Sequence, residues 1–176
     1  MDTALMVIDM QRDVMATCPA AESVLATVNA LITRARRNGT PIVFVRHHDD
    51  DLVAGTDSWQ LDPRLDHDVR DLIVEKTYRD GFANTELDDV LHRLGIHQLV
   101  ITGAHSDFCV QTTALSALAH GYDITLVADG HAAEATLIAG VELAAATVTD
   151  FVNARMSTLR YPGRTVDVLP AADVNL

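Results

Sequence analysis

Ala4-Leu5-Met6-Val7-Ile8-Asp9 is a short, uninterrupted apolar run that ends in a carboxylate. Such a run is typical of a strand buried in a parallel sheet. Five further runs of this kind are expected to form strands, at residues 41–45, 72–75, 98–102, 124–128 and, with a weaker pattern, 165–169. Longer stretches with helical periodicity alternate with most of them. The alternation predicts an α/β fold, a three-layer sandwich whose doubly wound, six-stranded, mainly parallel sheet carries helices on both faces.

Four helices are predicted from apolar residues that repeat every three or four positions. The first three patterns stop at Gly39, Gly95 and Gly121, and glycine favours the end of a helix. Their apolar positions are 24, 28, 31, 32 and 35, then 87, 90, 91 and 94, then 110, 114, 117 and 118. A fourth, long helix is expected because one helical face would carry Leu137, Val141, Ala144, Val148 and Phe151.

Length and charge limit the kind of partner that this chain binds. Its 176 residues suit one domain, residues 1–176. The net charge of −12 disfavours nucleic acid and anionic membranes, so the expected partner is a small molecule or another subunit. Met1-Asp2 leads directly into the first apolar run without a basic segment, and no apolar stretch is long enough to cross a bilayer. We expect a cytoplasmic protein with two reduced cysteines.

Three reactive side chains follow strands of the predicted sheet. Asp9 ends the first apolar run, Lys76 follows the third, and Cys109 lies shortly after the fourth, at the start of a predicted helix. Ligands of open parallel sheets bind at the carboxyl ends of the strands, where these three side chains meet. Lys76 is the single lysine among thirteen basic residues, which suggests a need for a compact ammonium, although chance retention on the surface explains the count equally well.

Cys109 is the natural nucleophile of this group. The start of a helix and the charge of Lys76 both favour a thiolate, whereas Asp107, read together with Ser106 as the helix cap, opposes one. The net effect on the thiol pKa depends on geometry. Taken alone, a cysteine near a helix start is more often a small buried apolar residue, and an aspartate at a strand end is often a turn residue. The presence of both residues together with Lys76 at one edge of the sheet is what favours a catalytic role.

The motifs that contain these residues resemble those of the isochorismatase-like cysteine hydrolases, the group that includes nicotinamidases and N-carbamoylsarcosine amidase. They are residues 7–13, Lys76 with residues 82–87, and residues 103–114, and the resemblance covers nearly the whole chain. It implies a catalytic triad of Asp9, Lys76 and Cys109 that cleaves the C–N bond of a small amide through a thioester. It also implies a cis peptide bond between Ala104 and His105, with the backbone N–H groups of His105 and Cys109 forming the oxyanion hole.

The sequence departs from the pattern of the metal-binding relatives. Nicotinamidase-like members carry Asp-x-His after the second strand, whereas this chain has Arg46-His47-His48-Asp49. Adjacent side chains on an extended segment point to opposite faces, so His47, His48 and Asp49 are poorly arranged for a shared ion. Residues 51–61 instead resemble a loop of metal-free members. We therefore expect no metal and no other cofactor.

Residues 47–71 are polar and acidic and are predicted to form a long loop, which contains the only tryptophan, Trp59. By position, Trp59, Phe82 and Phe108 are expected to wall a small substrate pocket, with polar contacts from Gln11, although each of the four suits packing or an interface equally well. His105 and His131 are candidates for supporting roles beside the triad.

Three other functions remain open from the sequence. The first is vinyl-ether hydrolysis of the isochorismatase type, whose members lack the cysteine. The second is a non-catalytic binding or scaffold module with the same fold. The third is redox sensing by Cys109, for which no neighbouring cysteine is available in the sequence. Relatives commonly self-associate, and the Ala144-Ala145-Ala146 segment suits close helix contacts, so we expect a homodimer or a higher homo-oligomer.

Overall fold

A computed structural model describes residues 2–176. Its strands, in chain order, are β1 (Thr3–Ile8), β2 (Ile42–His47), β3 (Leu72–Lys76), β4 (Gln98–Ala104), β5 (Asp123–Ala132), β6 (Thr136–Ile138), β7 (Val141–Leu143) and β8 (Val166–Leu169). Six of them form one sheet in the order β3-β2-β1-β4-β5-β8, and every neighbouring pair is parallel. The chain order reverses between β1 and β4. The predicted doubly wound, six-stranded sheet is confirmed.

The α-helices are α1 (Arg12–Ala16), α2 (Ala21–Asn38), α3 (Leu87–Arg93), α4 (Gln111–Ala119) and α5 (Ala145–Ser157). A π-helical turn, Ser106–Val110, leads directly into α4, and a short 3-10 turn, Ala171–Asp173, lies near the end of the chain. Gly39 ends α2 with φ of 72°, in the left-handed region, as the sequence predicted.

Alternate residues of β1 belong to the two halves of the core. Met6 and Ile8 pack in a cluster that includes residues of α3, α4 and α5, and Leu5 and Val7 pack in a second cluster with α2. Since side chains alternate across a strand, one strand serves both faces of the sheet. Burial on both faces explains why the run at residues 4–8 is continuously apolar.

The start of the predicted fourth helix is wrong. Residues 136–143 form the antiparallel hairpin of β6 and β7, and α5 begins only at Ala145. The turn residues, Ala139 and Gly140, both have positive φ, the geometry of a two-residue hairpin turn, which interrupts a helix. Leu137 and Val141 fitted a helical period by coincidence, and both side chains are exposed.

Residues 48–71, between β2 and β3, contain no helix and no strand, so the predicted long loop is confirmed. It is tied to the body of the fold by an isolated bridge between Gln11 and Leu61. Within residues 2–176, no helix is both long and apolar enough to span a bilayer. Cys18 and Cys109 are both free thiols, as expected. Self-association stays a prediction.

Candidate active site

The three reactive side chains lie together at the carboxyl ends of three strands of the sheet. Asp9 directly follows β1, Lys76 is the last residue of β3, and Cys109 lies in the π-helical turn after β4. The structure brings them into contact: Lys76 Nζ lies 2.6 Å from Asp9 Oδ2 and 3.3 Å from Cys109 Sγ. The group lies at the carboxyl ends of the strands where the chain order reverses, the position at which open α/β sheets bind ligands.

The ammonium of Lys76 is almost completely buried and is surrounded by acceptors. Besides Asp9 and Cys109, it meets the carbonyl oxygen of Tyr78 at 3.1 Å and Nδ1 of His47 at 3.2 Å. An ammonium has only donors, so His47 Nδ1 is the acceptor and the ring proton resides on Nε2. That proton is donated to Asp49 Oδ2, 2.8 Å away. Three ammonium hydrogens thus serve four neighbours, which suits a compact head group such as lysine's.

Asp9 is held in an unusual backbone conformation beside a glycine. Its φ is 50°, in the left-handed region, and its side chain is buried. A Cβ at Gly103, itself at φ of 131°, would lie 2.0 Å from the carbonyl oxygen of Ile8, so only glycine lets β4 approach the end of β1 this closely. The Cys109 thiol interacts with the Asp9 carboxylate, so a proton acceptor lies beside the sulfur.

The thiol of Cys109 is protonated in this arrangement. Burial raises its pKa to about 12, the negative charge of Asp9 adds to the rise, and the positive charge of Lys76 opposes it. The opposing effect of Lys76 is therefore outweighed. The predicted cap is also corrected, because His105 occupies the N-cap position and no side chain caps the turn. Ser106 is buried and its hydroxyl bonds elsewhere.

The turn that carries Cys109 is anchored on one side by a buried hydrogen-bonded chain. Asn153 Nδ2 donates to the Ala128 carbonyl, so its Oδ1 accepts from His131 Nε2, 2.9 Å away. The remaining ring nitrogen, Nδ1, then accepts from the Ser106 hydroxyl at 2.7 Å. Thr149 meets the same hydroxyl at 3.3 Å. The chain requires a neutral His131, and burial lowers the pKa of this imidazole.

The neutral state of His131 predicts a pH dependence of stability. Because its folded pKa is below the unfolded value of about 6.5, the unfolded chain binds the proton first, and the free energy of unfolding falls as the pH drops from about 6.5 towards the folded pKa. One such proton contributes a slope of at most about 1.4 kcal/mol per pH unit. Urea denaturation across this range is expected to show a shallower slope in His131→Gln than in the parent. The exposed His97→Gln serves as the control, and an equal slope in His131→Gln and the parent contradicts the assignment.

On the other side, the turn is joined to α1. The peptide bond between Ala104 and His105 is cis, and His105 Nε2 lies 2.9 Å from the hydroxyl of Thr17 and 3.3 Å from the Val14 carbonyl. His105 therefore links the turn to α1, and its imidazole forms no hydrogen bond or ion pair with Lys76 or Asp9.

A cavity of about 330 Å³ opens above Cys109. This volume suits a small ligand. The cavity is lined by Asp9, Asp13, Val14, Thr17, His47, Asp49, Asp51, Leu52, Arg79, Ala104, His105, Phe108 and Cys109. Phe108, one of the four predicted substrate contacts, is among them, and the guanidinium of Arg79 lies 3.8 Å from its ring centroid.

The other three predicted substrate contacts do not line this cavity, and their role in substrate binding stays a prediction. Gln11 is fully buried, and its amide bonds only backbone groups, of His47 and Trp59, so it fastens the long loop to β2. The Trp59 ring packs under the guanidinium of Arg46 at 3.4 Å. Phe82 lies in the core, stacked on His120 at 4.5 Å.

The ring of His47, the last residue of β2, is engaged by neighbours. Both ring nitrogens of His47 are used, one by Lys76 and one by Asp49. Within the part of the chain that the structure describes, no three or more His, Cys, Asp or Glu side chains are grouped as metal ligands.

Sequence reasoning missed several residues of the cavity wall. Asp13, Thr17, Asp51 and Arg79 line it, and Asn153 supports the turn through His131. Asp13 stands at the end of the motif that starts with Val7, and this spacing was the one available signal. The others depend on how the loop and the turn after β3 fold over the sheet edge.

A family model described as the isochorismatase domain matches residues 3–151. The chain belongs to the isochorismatase family. Two curated streptothricin hydrolase sequences of Streptomyces noursei are 33% and 32% identical over 73% and 96% of this chain, which spans 54% and 62% of their lengths. A ureidoacrylate amidohydrolase, RutB, of Serratia proteamaculans is 27% identical, covering 64% of this chain and 62% of the relative. Nicotinamidase 3 of Arabidopsis thaliana is 27% identical, covering 73% and 72%.

Solved structures of the isochorismatase family share the whole fold. An isochorismatase from Pseudomonas putida KT2440 superposes with a TM-score of 0.88 at 26% identity, covering 99% of this chain and 90% of its own. An isochorismatase-like hydrolase from Alkaliphilus metalliredigens gives a TM-score of 0.82 at 26% identity, covering 98% and 96%. These relatives, several of them named as hydrolases or amidohydrolases, place the chain in a family of hydrolytic enzymes.

Proposed function

We propose that this chain is a cysteine hydrolase that cleaves the C–N bond of a small amide with Asp9, Lys76 and Cys109. The observation that carries the proposal is the buried contact of one ammonium with both a carboxylate, at 2.6 Å, and a thiol, at 3.3 Å, on the floor of a small cavity. Relatives named amidohydrolase, nicotinamidase and streptothricin hydrolase support a small molecule with a C–N bond as substrate.

The first half of the reaction forms a thioester. Asp9 accepts the thiol proton of Cys109, and the thiolate attacks the amide carbon. The oxyanion is bound by the backbone N–H groups of His105 and Cys109. Asp9 then returns the proton to the leaving nitrogen, the C–N bond breaks, and ammonia or an amine departs. Lys76 holds Asp9 in place and offers a positive charge to the sulfur while it is anionic.

The second half regenerates the thiol. A water molecule takes the place of the amine, Asp9 removes its proton, and the resulting hydroxide attacks the thioester carbon. The C–S bond breaks, the carboxylic acid leaves, and Cys109 recovers its proton from Asp9. A raised thiol pKa of about 12 suits this cycle, because the resting enzyme stores a thiol beside a carboxylate base rather than an exposed thiolate.

The proposal is tested by trapping the intermediate. Incubation with a panel of small primary amides, followed by acid quenching and intact-protein mass spectrometry, is expected to add one acyl group to Cys109. Release of ammonia by the same sample is expected to be lost in Cys109→Ala and retained in Cys18→Ala. Amide hydrolysis that persists in Cys109→Ala contradicts the thioester mechanism. Absence of turnover and of any Cys109 adduct across the panel favours the binding-module alternative.

A further inference from the structure

The wall of the cavity above Cys109 carries an excess of negative charge. Three carboxylates line it outside the catalytic group, those of Asp13 in α1 and of Asp49 and Asp51 in the segment after β2. One guanidinium, Arg79, lines it as well and packs on the ring of Phe108. On the floor, the charges of Asp9 and Lys76 offset each other at 2.6 Å. The wall therefore holds carboxylates that the site itself does not neutralise.

Basic side chains neutralise most other acids of the loop between β2 and β3, but not the three carboxylates at the cavity. Further along, Asp57, Asp62 and Asp68 each pair with an arginine, at 2.6, 2.6 and 2.9 Å. By contrast, no Lys or Arg among residues 2–176 lies within ion-pair distance of Asp13 or Asp51. In the described part of the chain, the carboxylates at the cavity are thus unpaired by arginine or lysine, as is the neighbouring Asp50, while arginines pair with acids further along the loop.

Asp49 is fixed in an ionised state by its neighbours. Its Oδ2 accepts from His47 Nε2, and its Oδ1 accepts from the backbone N–H groups of Asp51 and Leu52, at 2.9 and 2.7 Å. These hydrogen bonds, the one from His47 first, lower the pKa of the Asp49 carboxyl. The contact with His47 is made by Nε2, the ring nitrogen that does not face Lys76.

A concave site with apolar walls concentrates the field of such charges. Val14, Leu52 and Phe108 supply apolar surface to the wall of the cavity. A wall of low dielectric constant strengthens the attraction of these carboxylates for a cation that enters the cavity, and it helps to orient that cation inside. At the bottom, Asp9 lines the same cavity beside Cys109, and its charge is offset by Lys76.

We propose that this cavity selects small amides that carry a positively charged group, a primary ammonium or a guanidinium, which Asp13, Asp49 and Asp51 hold while the amide carbon meets Cys109. The inference rests on the proposed hydrolase function and adds the charge class of its substrate. Asp13 and Asp51 are specificity-determining contacts in this assignment, and Asp49 is both a contact and the partner of His47.

The charge of the cavity is measured without a substrate by thiol-directed reagents of matched size. Aminoethyl, propyl and sulfonatoethyl methanethiosulfonate, which are cationic, neutral and anionic, each form a mixed disulfide with the Cys109 thiolate and release methanesulfinate. The rate of modification of Cys109 by each reagent is measured in the Cys18→Ala background. It is divided by the rate of the same reagent with a free small thiol, which corrects for the intrinsic reactivity of the reagent. The corrected cation-to-anion ratio is expected to exceed one and to fall by about fivefold in Asp13→Asn and in Asp51→Asn.

Asp50→Asn is the matched control. Asp50 stands between Asp49 and Asp51 in the sequence and does not line the cavity. Its replacement by asparagine removes the same charge as the other two substitutions. It is expected to change the ratio by less than about twofold. A wild-type ratio at or below one overturns the inference, and so does an Asp50→Asn effect as large as that of Asp51→Asn.

Turnover then tests the substrate class directly. Ammonia release is compared for ε-aminocaproamide, heptanamide and pimelic acid monoamide, which share one chain length and end in a cation, a methyl group and an anion. The highest kcat/KM is expected for the cationic amide, with KM rising and kcat unchanged as salt is added. Preference for the neutral or anionic amide overturns the inference about substrate charge but leaves the proposed hydrolase function standing. If no amide is hydrolysed, the hydrolase proposal fails, while the reagent ratio still decides the charge of the cavity.

Discussion

Replacing Asp9 with asparagine is expected to slow amide hydrolysis by about 10²- to 10⁴-fold and, in the same variant, to speed alkylation of Cys109. The two effects have opposite signs because Asp9 has two influences on the thiol. As the base it is needed for attack and for protonation of the leaving nitrogen. As a negative charge it raises the pKa of Cys109, so its removal lowers that pKa and increases the thiolate fraction at a given pH.

Both effects are measured on one preparation. Ammonia release gives the hydrolytic rate, and mass spectrometry with iodoacetamide at several pH values gives the alkylation rate and its apparent pKa. Asp50→Asn, which removes a carboxylate that does not line the cavity, is the control, and circular dichroism verifies the fold of each variant. Slower alkylation in Asp9→Asn contradicts the described charge coupling, whereas hydrolysis at the parent rate contradicts the role of Asp9 as base.

The meeting of Asp9, Lys76 and Cys109 was predictable because it depends on the sheet alone. Each residue follows an apolar run whose strand identity is readable from composition, and parallel strands end at one edge. The cavity wall was not predictable in the same way. Gln11 looked like a substrate contact by its place in the motif, but its amide serves the backbone of His47 and Trp59. Such contacts depend on the path of a long loop that has no periodic pattern.

The sequence left the direction of the thiol pKa shift open and misplaced the start of the fourth helix, for related reasons. A cysteine at a helix start meets favourable dipoles, and these local effects are readable from sequence. Burial, which is the largest cause of the rise at Cys109, depends on long-range packing. In the same way, residues 137–151 satisfy a helical period, while the turn at Ala139 and Gly140 takes positive φ at both residues. Local patterns fix what is possible, and the packed structure selects among the possibilities.

Lys76→Met is expected to lose both hydrolysis and stability. The Lys76 and Asp9 side chains are almost completely buried, so removing the ammonium leaves a carboxylate that is neither solvated nor paired. Breaking a buried pair in this way costs about 3–5 kcal/mol of the free energy of unfolding. Urea denaturation measures the loss, and Arg70→Met, which removes a cation from the exposed pair with Asp68, is the control with little expected change.

The double variant Asp9→Asn/Lys76→Met separates the structural role of the pair from its chemical role. It leaves no buried charge unpaired, so its stability is expected to recover to within about 1–2 kcal/mol of the parent, above both single variants. Hydrolysis is expected to stay absent, because neither base nor ammonium remains beside Cys109. A double variant as unstable as Lys76→Met would mean that packing around the ammonium, including its contacts with His47 and Tyr78, matters more than its charge. Restored hydrolysis would instead remove Asp9 and Lys76 from the mechanism altogether.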